Sequence, residues 1–194
     1  MRPKRGVGSQ ARQRILETAD RLFCREGFRA VGIDRIIAEA EVAKMTLYAH
    51  FPSKDDLIVA VLAYREERVL EFFRSAMERY GKRTRGKLRP FFAALKEWME
   101  SPGFRGCAFQ NAAIELADGE HAATRFVREH KRRFADMLRG FVEESVGGGA
   151  AKSASAVALL VEGAIVSAVI HESSEPGDVA RDAALKLVET AKGA

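Results

Sequence analysis

The chain has little of what extracellular folding, metal chemistry or membrane insertion requires. It holds two cysteines in 194 residues, Cys24 and Cys107, too few and too far apart for a disulfide framework or a metal-ligand spacing. Strand-type alternation is almost absent. No run of eighteen purely apolar residues occurs, and the most apolar stretch, 154–170, is interrupted by Ser155, Glu162 and Ser167, so no membrane span is expected. The first fourteen residues carry basic groups with no apolar segment behind them, which is not a secretory signal. No Ser-His-Asp arrangement, paired catalytic carboxylates, glycine-rich phosphate loop or metal-spaced His/Cys set can be read. The expectation is a soluble cytoplasmic protein that is not an enzyme and needs neither cofactor nor metal.

Acidic residues are also missing from the start, and there the absence is informative. Arg2, Lys4, Arg5, Arg12 and Arg14 precede the first acid, Glu17. Residues 1–54 hold 11 basic against 6 acidic side chains, whereas residues 55–194 hold 21 of each. The net charge of +5 therefore sits in the first quarter of the chain. A basic start ahead of a neutral remainder suits nucleic-acid binding, because neutralising phosphates supplies most non-specific affinity.

Apolar residues recur at helical spacing throughout, and the breaks fall at Gly, Pro and polar clusters. An all-α fold of about nine helices is predicted. Ser9 reads as the N-cap of a helix over 9–26 with Ile15, Leu16, Ala19, Leu22 and Phe23 on one face and Gly27 as its stop. Short helices follow over 33–40, with Ile33, Ile36, Ile37 and Ala40 aligned, and over 44–51, stopped by Pro52. Ser53 caps a long helix reaching about residue 80. Further helices are expected over 86–99, 106–117, 121–146, 153–172 and 179–192, with residues 173–177 as the last turn. The domain division is a basic arm (1–8), a helix-turn-helix (9–52), a connecting helix (53–80) and a C-terminal helical bundle (81–194).

Three short helices joined by tight turns make a DNA-binding constellation, in which the second braces and the third enters the major groove. That groove, about 12 Å wide, admits one helix. In the third helix Leu47 and Phe51 point inward. Lys44, Met45, Tyr48 and Ala49 remain outside, flanked by Thr46 and His50. These side chains suit phosphate and base-edge contacts. Lys54 adds a cation beside a helix N-terminus, a natural phosphate site.

The stretch Gly27-Phe28, Ile33-Asp34-Arg35-Ile36-Ile37-Ala38-Glu39-Ala40 and Val42-Ala43-Lys44-Met45-Thr46-Leu47-Tyr48-Ala49-His50-Phe51-Pro52-Ser53-Lys54 resembles the signature of the TetR family of regulators. The likeness is strong over residues 9–69. It implies that Lys44, Met45 and Tyr48 lie against base edges, and that Thr46, Tyr48, His50 and Lys54 hold the phosphate backbone. Three departures bear on the module itself. Glu41 stands where the family has Gly; at positive φ this costs roughly 1 kcal/mol. Gly32 replaces a hydroxyl cap, losing a few tenths of a kcal/mol, and Ala43 replaces Ser at the next cap, losing about 1 kcal/mol. A fourth, the small Ala49, removes a DNA contact that larger residues make.

The resemblance further implies a homodimer built from the last two long helices, and a repressor of double-stranded DNA released by a small-molecule inducer. The apolar and small residues Ala154, Val157, Ala158, Val161, Ala164, Ile165, Ala168 and Val169 form more surface than one neighbour can cover. Gly106-Cys107-Ala108-Phe109-Gln110-Asn111-Ala112 is similar to a segment of one large subgroup of such regulators. Aromatics interspersed with polar residues suggest an apolar pocket with few polar anchors. The candidate ligand-binding residues are Phe91, Trp98, Cys107, Phe109, Asn111, Glu115, Phe134 and His171. Residues 130–133, His-Lys-Arg-Arg, read as a solvated helix face. The competing reading is a protein-interaction adaptor on the same fold with weakened DNA binding, prompted by Glu41 and Ala49.

Overall fold

The computed structural model describes residues 5–82, 84, 86–146 and 151–192, with side chains from Gln10 onward. The described residues form nine helices: α1 Arg5–Glu26, α2 Ile33–Glu39, α3 Lys44–His50, α4 Lys54–Gly81, α5 Leu88–Met99, α6 Ala108–Leu116, α7 Ala122–Val146, α8 Ala151–Ile170 and α9 Glu175–Lys192. No strand occurs among them. The all-α expectation and the helix order hold.

Boundaries moved where a local signal was outweighed. The chain is already helical at Arg5, so Ser9 is interior to α1 rather than its cap, and the later half of the expected arm is the first turn of that helix. Residues 1–4 lie outside the described residues. At the other end α9 begins at Glu175, so residues 175–177 are helical. Proline is tolerated in a first helical turn because its missing N–H has no partner there in any case. Ser173 Oγ accepts the Glu175 amide at 3.1 Å, and Gly177 is buried where a Cβ would lie 3.1 Å from Met99 Sδ. The Ser53 cap forms as expected. Its Oγ accepts the Asp56 amide at 3.0 Å and donates to the Asp56 carboxylate at 2.7 Å, a side-chain N-cap that starts α4.

The chain forms two compact units. The first comprises residues 1–68 with 108–129, that is α1 to α3, the start of α4, α6 and the start of α7. Its core combines aliphatic side chains with buried phenylalanines. Ile15, Leu16, Ala19, Leu22 and Phe23 of α1 are all buried, as the periodicity requires, together with Phe28, Val31, Ile36, Leu47, Phe51, Leu57, Ile58, Val61 and Leu62. An ion pair between Arg65 and Asp20 joins α4 to α1. Burial disfavours the Arg65 charge, but Asp20 and the neighbouring Cys24 outweigh it and hold its pKa above the ordinary value.

The second unit comprises residues 69–107 with 130–194, and its core is aromatic. Phe91, with no exposed surface, packs against Phe73 (centroids 5.5 Å apart), Phe92 (5.5 Å), Phe134 (6.1 Å) and Phe141 (6.1 Å). Trp98 extends the cluster to Phe104 at 5.0 Å, edge to face. The buried faces of α8 (Ala154, Val157, Val161, Ala164, Ile165, Ala168) and α9 (Gly177, Ala180, Ala184, Val188) are built of small and β-branched residues, which lets two helices approach closely.

Candidate nucleic-acid interface

The α2–α3 pair owes its shape to its turn. Ala40 closes α2 in a right-handed conformation, and Glu41 then takes φ +52. The Glu41 amide bonds the Ala38 carbonyl and the Val42 amide bonds the Ile37 carbonyl, both at 3.2 Å. This is the pair of bonds that terminates a helix through a left-handed residue, a position glycine fills at no steric cost. Glu41 thus stands at positive φ, the condition under which a residue other than glycine bears strain. Both caps that the sequence marks as weak are bare: neither Gly32 before α2 nor Ala43 before α3 makes a side-chain cap bond.

Exposure divides α3 as the spacing predicts. Leu47 is completely buried and Phe51 is buried just beyond the helix, while Lys44, Met45, Tyr48 and Ala49 are exposed. Met45 is 85% exposed and Tyr48 41%. Thr46 and His50 are half-buried, and the His50 ring lies 6.4 Å from that of Phe51. Lys44 Nζ approaches Asp34 of α2 at 3.4 Å, an exposed pair that contributes little to stability and yields readily to a phosphate. Lys54, the remaining candidate, is half-buried and donates to the Arg29 carbonyl at 3.3 Å; desolvation lowers its pKa against the pull of Asp55 and Glu115.

Two cations that the sequence did not single out are brought to this module by α1. Arg12 places its guanidinium 5.2 Å from the centre of the Phe51 ring, and Arg14 reaches the Glu41 carbonyl at 3.5 Å. The signal was the acid-free basic start. Only the packing of α1 shows which of those residues meet α3 and its turn.

The eight candidate ligand residues are divided between the two units. Phe91, Trp98 and Phe134 belong to the aromatic core of the second unit. Cys107, also in that unit, is buried with Sγ 3.4 Å from Lys131 Nζ, which is paired with both Glu162 oxygens at 2.7 and 2.8 Å. Lys131 is thus not part of a solvated face. It falls on the apolar stripe of α7 with Val127, Phe134 and Leu138, at helical spacings of four, three and four. Phe109, Asn111 and Glu115 are in the first unit. Phe109 is buried and stacks on Phe126 at 6.5 Å, Asn111 is exposed, and the Glu115 carboxylate is committed to the α1–α2 turn, accepting the Phe28 amide at 2.6 Å. His171 is exposed and lines an outward groove of ≈1020 Å³ between α8 and α9.

Comparison with known proteins matches these elements. Residues 15–61 fit the family model described as "Bacterial regulatory proteins, tetR family", and residues 85–184 fit "Tetracyclin repressor-like, C-terminal domain". The HTH-type transcriptional regulator UidR of Escherichia coli strain K12 is 37% identical over 67 residues, which is 34% of this chain and 34% of that protein. The HTH-type transcriptional activator FasR of Mycolicibacterium smegmatis is 34% identical over 98 residues, 50% of this chain and 44% of FasR. The matched region thus spans a third to under a half of these curated relatives. Among solved structures, a TetR-family transcriptional regulator from Streptomyces coelicolor superposes with a TM-score of 0.86 at 31% identity, covering 95% of this chain and 97% of the other. With a helix-turn-helix whose third helix turns its polar side outward, and with both family models and a near-full-length structural relative in agreement, the chain belongs to the TetR family of DNA-binding transcriptional regulators and is not an enzyme.

Proposed function

We propose that the protein works as a homodimer whose two α3 helices read a palindromic operator, and that it represses transcription until a small-molecule inducer binds the C-terminal unit. The observation that carries the DNA reading is the exposure of Lys44, Met45, Tyr48 and Ala49 on a helix pinned from behind by Leu47 and Phe51. In this reading Lys44, Met45 and Tyr48 meet base edges. Thr46, Tyr48, His50 and Lys54 hold the backbone, with Lys54 leaving the Arg29 carbonyl to do so.

The dimer reading rests on the outer faces of the last two helices. Leu159, Val166 and Ile170 of α8 are 74%, 42% and 69% exposed, and Val179 and Leu187 of α9 are 62% and 39% exposed. Leu159, Gly163, Val166 and Ile170 follow one another at four, three and four residues, so they share one face. α8 is apolar enough along its length to cross a bilayer by composition alone. One side of it is buried against its own chain and the other is turned outward, which suits a symmetric helix-helix interface. Two-fold symmetry then sets the recognition helices about 34–36 Å apart, one turn of DNA.

Release by inducer requires that inducer and operator favour different arrangements, so that each weakens the other's binding by the same factor. In this reading the Cys107–Lys131–Glu162 group, beside the aromatic cluster around Phe91 and Trp98, would provide polar anchors for such a molecule. Selection of genomic fragments by the purified protein tests the scheme. Recovered sites are expected to be inverted repeats with half-site centres about one helical turn apart. Recovery of unrelated fragments, or of single half-sites with no symmetry, contradicts it.

A further inference from the structure

The turn joining α1 to α2 is held from outside the helix-turn-helix. α1 ends at Gly27, whose amide bonds the Phe23 carbonyl at 2.9 Å and whose φ is +91. The next two amides point away from the helix. Phe28 N and Arg29 N both donate to Glu115 Oε2, at 2.6 and 3.3 Å, although Glu115 lies on α6, more than eighty residues further along the chain. The grip is reciprocal. The Arg29 guanidinium donates at 2.8 Å to the carbonyl of Leu116, the last residue of α6, where a helix leaves carbonyls without an internal partner and a cation is favoured. Lys54 takes the Arg29 carbonyl at 3.3 Å. The approach is so close that a Cβ on Gly27 would sit 2.7 Å from Glu115 Oε2; the site accepts glycine for space as well as for φ.

This carboxylate holds the start of the turn that leads into α2. Only residues 27–32 separate α1 from α2, and Gly32 offers α2 no side-chain cap. The turn is fixed by two apolar plugs, Phe28 (3% exposed, 5.2 Å from the Phe23 ring) and the fully buried Val31, and by polar ties at Phe28 and Arg29, of which Glu115 is the one that takes backbone amides. Hydrogen bonds to an ionised acceptor are the strong kind, and a part-buried amide that loses its acceptor is expensive to leave. Without Glu115 the part-buried Phe28 amide would lose its acceptor and the turn would lose its tie to α6, which would loosen the seat of the α2–α3 pair.

We propose that Glu115 is a positioning residue for operator binding: carried on α6, it fixes the α1–α2 turn and so sets the pose of the reading helix without touching DNA itself. The inference rests on the DNA reading above but assigns a role to a residue that neither the basic patch nor α3 contains. Selective binding needs α3 posed within the groove, whereas non-specific binding depends on charge and tolerates a loose module. A carboxylate that merely stabilised the fold would affect both alike.

The test uses the full-length protein with Glu115→Ala and Glu115→Gln, titrated against a selected site and against random DNA, with amide hydrogen exchange read at Phe28 and Arg29. For Glu115→Ala, affinity for the selected site is expected to fall roughly tenfold to a hundredfold, a coupling of ordinary size. Random-DNA affinity should not fall, because the substitution removes a negative charge. The two amides should exchange faster. Glu115→Gln, which keeps an acceptor oxygen, should recover most of the selectivity. Parallel loss on both DNAs, or a glutamine variant no better than alanine, overturns the proposal. If the unaltered protein does not distinguish the two DNAs, it is the DNA reading that fails; unchanged exchange in Glu115→Ala by itself overturns the latch. Should that variant fail to fold, Arg29→Ala removes the return bond to Leu116 together with one cation, so a small loss on both DNAs is expected with a mild additional loss of selectivity. No change there overturns the proposal as well.

Discussion

The two units use their apolar and polar groups in opposite ways. In the first, aliphatic side chains are hidden and the surface of α3 carries Lys44, Tyr48 and the exposed Met45. In the second, rings fill the interior around Phe91 and the outside of α8 and α9 is left apolar. Recognition of DNA needs polar and cationic groups presented outward on a rigid support, whereas binding a second copy needs apolar area presented outward. On the reading proposed above, each unit's surface meets its partner, while its core supports that surface.

The strongest way to press this contrast is to empty the aromatic core. Phe91→Ala removes a ring with no exposed surface and is expected to cost about 3–5 kcal/mol, read from denaturant midpoints. A loss under about 1 kcal/mol would place the ring in a site that collapses freely, against the close packing described. Leu159→Glu attacks the outer face instead. It leaves the monomer's core intact, so the fold should survive while sedimentation shifts from dimer to monomer, since like charges set against each other across a two-fold cost several kcal/mol. An unchanged dimer would move the interface elsewhere.

A smaller effect is expected at the turn. Glu41 pays for φ +52, so Glu41→Gly should stabilise the protein by about 1 kcal/mol. Destabilisation would mean that the Glu41 side chain makes a compensating contact. The smallest effect concerns pH. Lys96, then Arg181, hold the Asp178 carboxyl below its ordinary value, although desolvation acts the other way. A depressed pKa gives stability that is present above the unfolded value of roughly 3.9 and is lost as pH falls through the folded one. The stability gap between the protein and Asp178→Asn should therefore be widest near neutrality and close in acid. A gap that widened in acid would reverse the sign.

What was legible in the sequence was local. The buried stripe of α1, the Ser53 cap and the inward Leu47 and Phe51 each follow from spacing or residue type within one turn of chain, whereas the question of a left-handed Glu41 arises only from the family resemblance. Glu115 was read as a candidate pocket residue because periodicity shows that a polar group interrupts a face, but not which amides eighty residues away will claim it. Lys131 was misread for the complementary reason. Its neighbours Arg132 and Arg133 suggested a solvated run, yet its register with Val127 and Leu138 turns it inward to Glu162. His171 lies on an outer groove and Phe109 with the first unit, because a helix pattern fixes faces and leaves the choice of neighbour to tertiary packing.

The measurement that bears most directly on the central claim is titration of the purified protein with DNA from immediately upstream of its own gene, at two salt concentrations, beside Lys44→Ala and Tyr48→Ala. Selective binding is expected, falling steeply with salt as phosphates are neutralised, and each substitution should cost about 1–3 kcal/mol on the selected site while thermal stability stays nearly unchanged, as it does for exposed positions. Binding no tighter than to random DNA, insensitive to both substitutions, would contradict the assignment of α3 as the reading helix.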